Sequence, residues 1–583
     1  MNSNTTRLLL ASFLSLFIEL LLIRWIATEV RLFAHLKNLA LIACFAGLGI
    51  GYGLRQRVVT PMITFLGMAA LVLLALPPDL IGVFSLKHLS RYVLFTTLYS
   101  WTPEQPWPVV LGGLLGLLVA FSTMVFMFIP LGQILGDCFR ASSNQLRDYT
   151  LNVIASLAGI LFFTALSVLG TSPWLWFACG FLPLLLLLPS RRDQWIGAVL
   201  SLAIIFGAPL LLPRYPGMAA VEWSPYQKIV VWKVEARPTQ TTTQTTTQTG
   251  WRLGAAGFRP DGPVMYMFDV NDTAMMWLLD MSSNALQKHP WLTRPEKIEW
   301  YDFPYHIYPA PKRVLVIGSG GGNDVAAALR HRAGQVDAVE IDPKIAQLGK
   351  RFHPERPYED PRVTVHVQDA RRYLGASHEK FDLIDFAQLD NTDYNSMSSL
   401  SNIRMDSYVY TRECFEQAYK LLKPDGVMVV NFGADEYWGR RSVRTLKDAT
   451  GVIPRSFKND LQFLFQGQEN AYVLDPGGRL DRALGTDPKL AAWVKDREAH
   501  WTPDTESPDV SDDWPYWFLP QRMIPSLQLF AMIFIVVVSL LLVVFMLPGS
   551  ARRVQGHFFF LGAAFMLLEV HSITRVALLL GAT

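Results

Sequence analysis

The stretch Val314-Leu-Val-Ile-Gly-Ser-Gly-Gly-Gly-Asn-Asp324 decides how the middle of this chain folds. Four apolar residues in a row read as a strand buried on both faces. The glycines that follow turn the chain tightly and leave no side chain in a ligand's way. From Asp324 the run Asp-Val-Ala-Ala-Ala-Leu-Arg reads as a helix. Strand, glycine turn and helix in that order set a nucleotide-like group against a helix N-terminus, with Gly318, Gly320 and Gly322 lining the turn.

Three further strands supply polar ends. Val336–Ile341 ends near Glu340, about twenty residues past the glycines, where an acid accepts both hydroxyls of a ribose. Val363–Val367 is followed by Asp369 and Ala370, and Asp369 is placed to accept from an adenine amino group. Phe381–Phe386 carries Asp385 and leads to Asp390. Four strand ends with polar residues in order describe a site at the carboxyl edge of a parallel sheet.

The rest of the composition is that of another kind of protein. Of 583 residues, 51% are hydrophobic and only 17% charged, too apolar for a chain that is soluble throughout. A formal net charge of +3 gives no electrostatic footprint for nucleic acid. The four cysteines, Cys44, Cys138, Cys179 and Cys414, include no pair at metal-ligand spacing, which argues against a disulfide framework or a zinc site, and no metal is expected.

Seven apolar runs precede residue 213, near 6–27, 39–55, 59–77, 108–136, 149–170, 172–190 and 195–212, and two more lie near 524–547 and 557–582. Each is roughly the length that crosses a bilayer as a helix. The first lacks a small-residue cleavage site and reads as a span, not a removed signal. The segment 80–104, with Lys87, Arg91 and many aromatics, reads as interfacial. The organisation that follows is a bundle over 1–212, a small β-rich lead-in over 213–310, a Rossmann-like domain over 311–522, and two closing spans over 523–583. The chain stops at Thr583 directly after an apolar run, which fits a last span without a tail or a shortened chain. Glu19 and Arg24 in the first run, and Glu569, His571 and Arg575 in the last, read either as a polar centre or as structural ion pairs and interfacial arginines.

In the lead-in, Glu222–Trp232 and Pro263–Phe268 read as strands of an antiparallel unit, with the Thr/Gln-rich 239–249 at a hairpin tip. Asp302–Ile307, with Tyr305 and His306, comes just before the first sheet strand and overhangs the site as a substrate-side segment. After Asp390, the polar insertion Asn391–Arg404 reads as a substrate loop or a solvated connection, and Asp406 and Tyr408 follow it. A helix over about 412–422 and a strand over Gly426–Asn431 continue the α/β pattern.

Ser224-Pro-Tyr-Gln-Lys-Ile229, Ile317-Gly-Ser-Gly-Gly-Gly322, Val339-Glu-Ile-Asp342 and Asp360-Pro-Arg-Val-Thr-Val365 resemble the spermidine synthase (polyamine aminopropyltransferase) family. So does the order of parts, a small β unit ahead of a class I methyltransferase-like Rossmann domain. The helices on either side resemble those of membrane-embedded, spermidine synthase-like proteins of bacteria. The resemblance covers roughly residues 220–435. It implies that Gln227, Glu340 and Asp369 hold the nucleoside of decarboxylated S-adenosylmethionine, and that Asp390 binds the amine acceptor. It also exposes two departures: the family's usual general base falls on Ala387, and the acid of its glycine loop falls on Gly321. Asp385, Asp390, Asp393 or Asp406 could stand in for the base.

The function expected first is transfer of an aminopropyl group from decarboxylated S-adenosylmethionine to an amine such as putrescine. A second is an S-adenosylmethionine-dependent transfer to a lipid or other membrane-borne acceptor. A third is a non-enzymatic transporter or sensor that binds a nucleoside or polyamine. Partners are thus a small amine or a lipid, the bilayer, no nucleic acid, and a possible second copy. The expected place is a bacterial inner membrane. Arginines at 55, 57, 140, 147, 191, 192, 552 and 553 all fall on loops opposite the Rossmann domain, which puts that domain outside the cytosol, whereas donor supply puts it inside.

Overall fold

The computed structural model describes residues 4–568 except 31–32, 34–35, 55–58, 82–84, 88–106, 212–216, 235–264, 272–273, 289–297, 390–405, 434–435, 461–467, 518, 525, 548–555, 558 and 565–566. Among them, every apolar run before residue 213 is helical: α1 (Asn4–Glu29), α2 (Lys37–Gly53), α3 (Met62–Leu74), α4 (Trp107–Arg140), α5 (Gln145–Val168), α6 (Pro173–Leu184) and α7 (Arg192–Gly207). Apolar side chains around much of each helix leave burial, in protein or in lipid, as the only way to remove them from water. Five described helices are long and apolar enough to cross a membrane by length and composition: Asn4–Glu29, Leu114–Arg140, Gln145–Val168, Arg192–Leu210 and Leu529–Met546. Three others, Leu39–Gly53, Met62–Leu74 and Pro173–Leu187, are apolar but shorter. The expected interfacial segment lies mostly, and the hairpin tip wholly, outside the described residues, as do Glu569, His571 and Arg575.

Glycine lets two of these helices touch backbone to backbone. A Cβ at Gly51 of α2 would lie 2.1 Å from the Ile129 carbonyl oxygen of α4, and one at Gly132 would lie 2.2 Å from that of Leu48. Small residues at such crossings are how helices pack where no hydrophobic force drives them together. The Asn4 amide reaches the Cys138 carbonyl (3.0 Å) and Arg140 the Tyr52 carbonyl (3.3 Å), so one end of the bundle gathers the start of α1 and the ends of α2 and α4. At the other end, α1 finishes beside the β unit.

That unit is a four-stranded antiparallel sheet in the order β1 (Met218–Trp223), β2 (Lys228–Val234), β3 (Met265–Val270), β4 (Ala274–Leu278). The single strand expected over 222–232 is broken into a hairpin. Pro225 has no N–H for a ladder, and the Ser224 hydroxyl accepts from the N–H groups of Tyr226 (3.1 Å) and Gln227 (2.9 Å), which closes a turn.

The large sheet has eight strands in the order β12-β10-β11-β9-β8-β5-β6-β7. Its parallel half is β5 (Arg313–Ile317), β6 (Gln335–Glu340), β7 (Val363–Val367), β8 (Phe381–Phe386) and β9 (Leu422–Asn431). The sheet is mixed, not wholly parallel as expected: β10 (Arg455–Asp460) and β11 (Gln468–Leu474) form a hairpin whose second strand pairs antiparallel with β9, and the two-residue β12 (Glu498–Ala499) pairs antiparallel with β10. A short link between adjacent strands requires antiparallel pairing, whereas each parallel pair needs a crossover. The crossovers that matter to the site are α9 (Asn323–Arg330) after β5, α10 (Pro343–Phe352) after β6 and α11 (Ala370–Ala376) after β7. One face of the sheet is covered by a short helix, α8 (Phe303–Ile307), with α9, the other by α11, α12 (Arg412–Lys420) and α13 (Glu436–Thr450).

Candidate active site

The site is built where β5, β6, β7 and β8 end. Gly318, Gly320 and Gly322 all have positive φ, at 74°, 53° and 108°, a region that costs other residues energy. Space is as decisive as conformation. A Cβ at Gly318 would lie 1.6 Å from Leu389, and one at Gly321 would lie 2.2 Å from Leu278 of β4. The position where the resemblance expects a loop acid is therefore filled by the lead-in sheet. Asn323 locks the two together: its side chain donates to the Trp277 carbonyl (2.6 Å) and accepts from the Leu279 N–H (3.2 Å). The Tyr358 hydroxyl braces the same loop on the Gly320 carbonyl (2.7 Å) and Ser319 (2.9 Å).

Glu340 closes β6 with a buried carboxyl. One oxygen accepts from the Gly320 N–H and the other from the Asp342 N–H, each at 2.9 Å, and each keeps a lone pair for a further donor. Burial raises this carboxyl to about 7 despite the two amides. Gln227 is brought to the same rim. Its amide donates to Asp342 (3.0 Å), alongside the Ser224 hydroxyl (2.6 Å). Asp369 caps α11 by accepting from the Arg372 N–H (3.0 Å), and Ala370 beside it is buried. Tyr226 lies among these acids: burial first, then the negative charges of Asp342, Asp369 and Glu340, push its hydroxyl up.

A second group sits under the glycine loop. Asp385 of β8 is buried, on the same strand face as Ala387, one pleat deeper. The Asn431 amide donates to one of its oxygens (3.2 Å). Asp324, in the first turn of α9, is half-buried, and burial raises it to about 7. Burial and then the Asp324 charge push Asp385 well above the usual carboxylate range. The Tyr305 hydroxyl, 1% exposed as a residue and without a hydrogen-bond partner among the described residues, feels both charges. Tyr305 thus lies beneath the sheet's edge, stacked on His331 with centroids 5.1 Å apart, not over the rim. His306 turns away to Asp487 (2.8 Å).

Tyr408 is buried, and its carbonyl accepts from Arg371 (3.1 Å), which also forms a two-pronged pair with Asp512 (2.7 and 2.9 Å). The Tyr410 hydroxyl accepts from the Leu389 N–H (3.1 Å) and so fixes the last described residue before Asp390. Asp390, Asp393 and the polar insertion lie outside the described residues, as does the side chain of Asp406. Sequence reasoning missed Asp324, Arg371, Tyr358 and Asn323. Only Asp324 carried a signal, as an acid in the first turn after a glycine loop.

Residues 299–449 match the spermine/spermidine synthase domain. This part of the chain is spermidine synthase-like. The chain is similar to a polyamine aminopropyltransferase of Korarchaeum cryptofilum, 33% identical over 21% of this chain and 35% of that protein. It is also similar to a spermidine synthase of Coffea arabica, 32% identical over 30% of this chain and 52% of that protein. The crystal structure of spermidine synthase from Thermotoga maritima aligns with 45% of this chain and 73% of its own at 18% identity, with a TM-score of 0.31. The chain thus spans between a third and about half the length of these curated relatives. The spermidine synthase-like segment begins just before α8 and ends in α13, so it contains Asp324, Glu340, Asp369 and Asp385 but not Gln227.

Proposed function

We propose that this chain transfers an aminopropyl group from decarboxylated S-adenosylmethionine to an amine such as putrescine, giving a polyamine and methylthioadenosine. The observation that carries this reading is the rim itself: Gly320, Glu340 and Gln227 within one hydrogen-bonded network, with Asp369 at the next strand end. Its acids suit ribose hydroxyls and an adenine amino group, and the family match supports the donor.

In the reaction a neutral amine nitrogen attacks the carbon beside the sulfonium. A C–N bond forms, the C–S bond breaks, and sulfur leaves as a neutral thioether with the bonding pair. The nitrogen is left with a proton to lose, and Ala387 cannot take it. The Asp324–Asp385 pair supplies that acceptor in our reading. A base poised near neutrality is the most effective one at neutral pH, and Asp324, raised to about 7, is so poised. Asp324 is the half-buried member and Asp385 the fixed one. Asp390, with Asp406 and Tyr408, remains assigned to the acceptor side. Catalysis otherwise comes from holding the two reactants in line.

The second reading, transfer from intact S-adenosylmethionine to a membrane-borne acceptor, draws on one observation. Trp223, at the end of β1, packs into the helical bundle's core, so the lead-in sheet reaches the apolar helices. We place the chain in a bacterial inner membrane as a multi-pass protein, on the strength of its five long apolar helices. The deciding experiment incubates the full chain in detergent with either donor and with putrescine or lipid. Methylthioadenosine with spermidine supports the first reading. S-adenosylhomocysteine supports the second, and binding without turnover defeats both.

A further inference from the structure

The turn that carries Gln227 is gripped from below by α1. Arg24, half-buried near the end of that helix, donates to the Pro225 carbonyl (2.5 Å) and to the Ser224 carbonyl. Its guanidinium also lies over Trp176 (5.4 Å), and Trp176 meets Trp223 edge-on (5.2 Å). Five residues on, Glu29 ends the helix and accepts from Lys228 (2.7 Å) and Lys87 (2.9 Å). The segment 224–228 is therefore held at its start by Arg24 and at its finish by Glu29. The other side of the same turn faces the nucleoside rim, through Ser224 and Gln227 to Asp342, and from the Asp342 N–H to Glu340. Tyr226, at the middle of the turn, stands among Glu340, Asp342 and Asp369.

A plain structural role would have Arg24 satisfy two carbonyls that a turn leaves over. Two features exceed it. A charged guanidinium in an apolar helix is expensive, and a turn facing water needs no such partner. The second grip, Glu29 with Lys228, fixes the same five residues from an independent point on α1, and the members of that pair are only 15% and 17% exposed.

We propose that α1 sets the affinity of the nucleoside pocket, Arg24 and Glu29 being positioning residues that hold the 224–228 turn against Asp342 and Glu340. This rests on the nucleoside reading of the rim and adds a link from the pocket to the bundle. Coupling of this kind is reciprocal: what repacks α1 changes donor binding, and donor binding stiffens α1.

The test uses the full chain in detergent and methylthioadenosine as the probe, titrated by calorimetry. Arg24→Gln is expected to raise the Kd about 10-fold, within the usual range for coupled sites. The donor KM should rise with it while kcat stays near that of the parent, a split that general loosening of the fold does not give. Lys228→Met breaks the second grip from the β side, without altering the bundle, and should also raise the Kd, so the test stands even where Arg24→Gln fails to fold. Arg140→Gln, at the far end of the bundle, should leave the Kd unchanged. Binding by both Arg24→Gln and Lys228→Met as tight as the parent's overturns the proposal. A parent that binds no methylthioadenosine overturns the nucleoside reading instead.

Discussion

At the scale of single residues, the site turns on how three carboxyls hold protons. Glu340 and Asp324 are both raised to about 7 by burial, and burial and then Asp324 push Asp385 well above the usual carboxylate range. A ribose hydroxyl donates to the ionised form of Glu340, so binding favours loss of its proton. Affinity for methylthioadenosine should therefore weaken as pH falls below about 7, approaching tenfold per unit, and level off above it. Titration at pH 5.5, 6.5 and 8 checks this, and a flat profile would show that Glu340 does not face the sugar. For stability the sign is opposite. A raised acid holds its proton more tightly folded than unfolded, so these groups stabilise the fold most at low pH and lose that contribution as pH climbs from about 4 through 7. Asp324→Asn keeps the size of the side chain but removes the member of the pair that ionises near 7. It should lower kcat about 100-fold or more while leaving the affinity for methylthioadenosine unchanged. Single-turnover rates alongside binding separate the two, and an unchanged kcat would send the proton elsewhere, to Asp390 or Asp406.

At the scale of elements, the glycine turn is one half of a joint whose other half is β4. Asn323 pairs with the backbone at the end of β4, at Trp277 and Leu279, and also meets His353 (3.1 Å). Burial then Arg330 pull that buried histidine down to about 3, so it stays neutral. Asn323→Ala leaves the Trp277 carbonyl and the Leu279 N–H without their partner and should cost about 1–3 kcal/mol of stability. Thermal melts of the variant should show a lower Tm, with the donor KM, measured below the transition, raised alongside. Gly318→Ala should be worse, because its methyl group must displace Leu389 and the backbone resists φ near 74°.

These examples also mark what could be read ahead of the structure. The strand–turn–helix around Gly318 and the acids at 340 and 369 were legible because each rests on local pattern: apolar runs, glycines and a fixed spacing. The break in the strand at Ser224 was legible in principle, since serine before proline invites a turn, yet the apolar run on its far side masked it. The antiparallel end of the sheet was not, because β10 and β11 find β9 through long-range pairing that no short window contains. Nor was the role of Asp324. Beside a glycine loop an acid reads as a helix-capping charge, and only packing against β8 gives it Asp385 as a neighbour.

For the whole molecule, the proposed membrane placement leads to a prediction of sidedness. Arg140 lies at the end of the bundle shared with Asn4 and Tyr52, and the β unit at the other, so Arg140 and the candidate site lie at opposite ends. The positive-inside rule then predicts that a cysteine placed at residue 300 of a cysteine-free variant is labelled by an impermeant maleimide added to intact cells. Labelling only after lysis would show that donor supply, not loop charge, governs the orientation. The two outcomes differ in biology: the first demands a route for the donor across the bilayer, the second none.

The lower end of the site is tied down as firmly as its upper end. Trp517, nine residues before the last long helix (Ser526–Met546), donates its indole N–H to the Tyr410 carbonyl (3.1 Å), and Arg441 donates to the Trp517 carbonyl. With α1 holding the turn at 224, described residues near both ends of the spermidine synthase-like part are tied down by hydrogen bonds. A soluble relative could not be grafted between these helices as a cassette. Both seams would have to be rebuilt before such a graft could hold the donor rim in place.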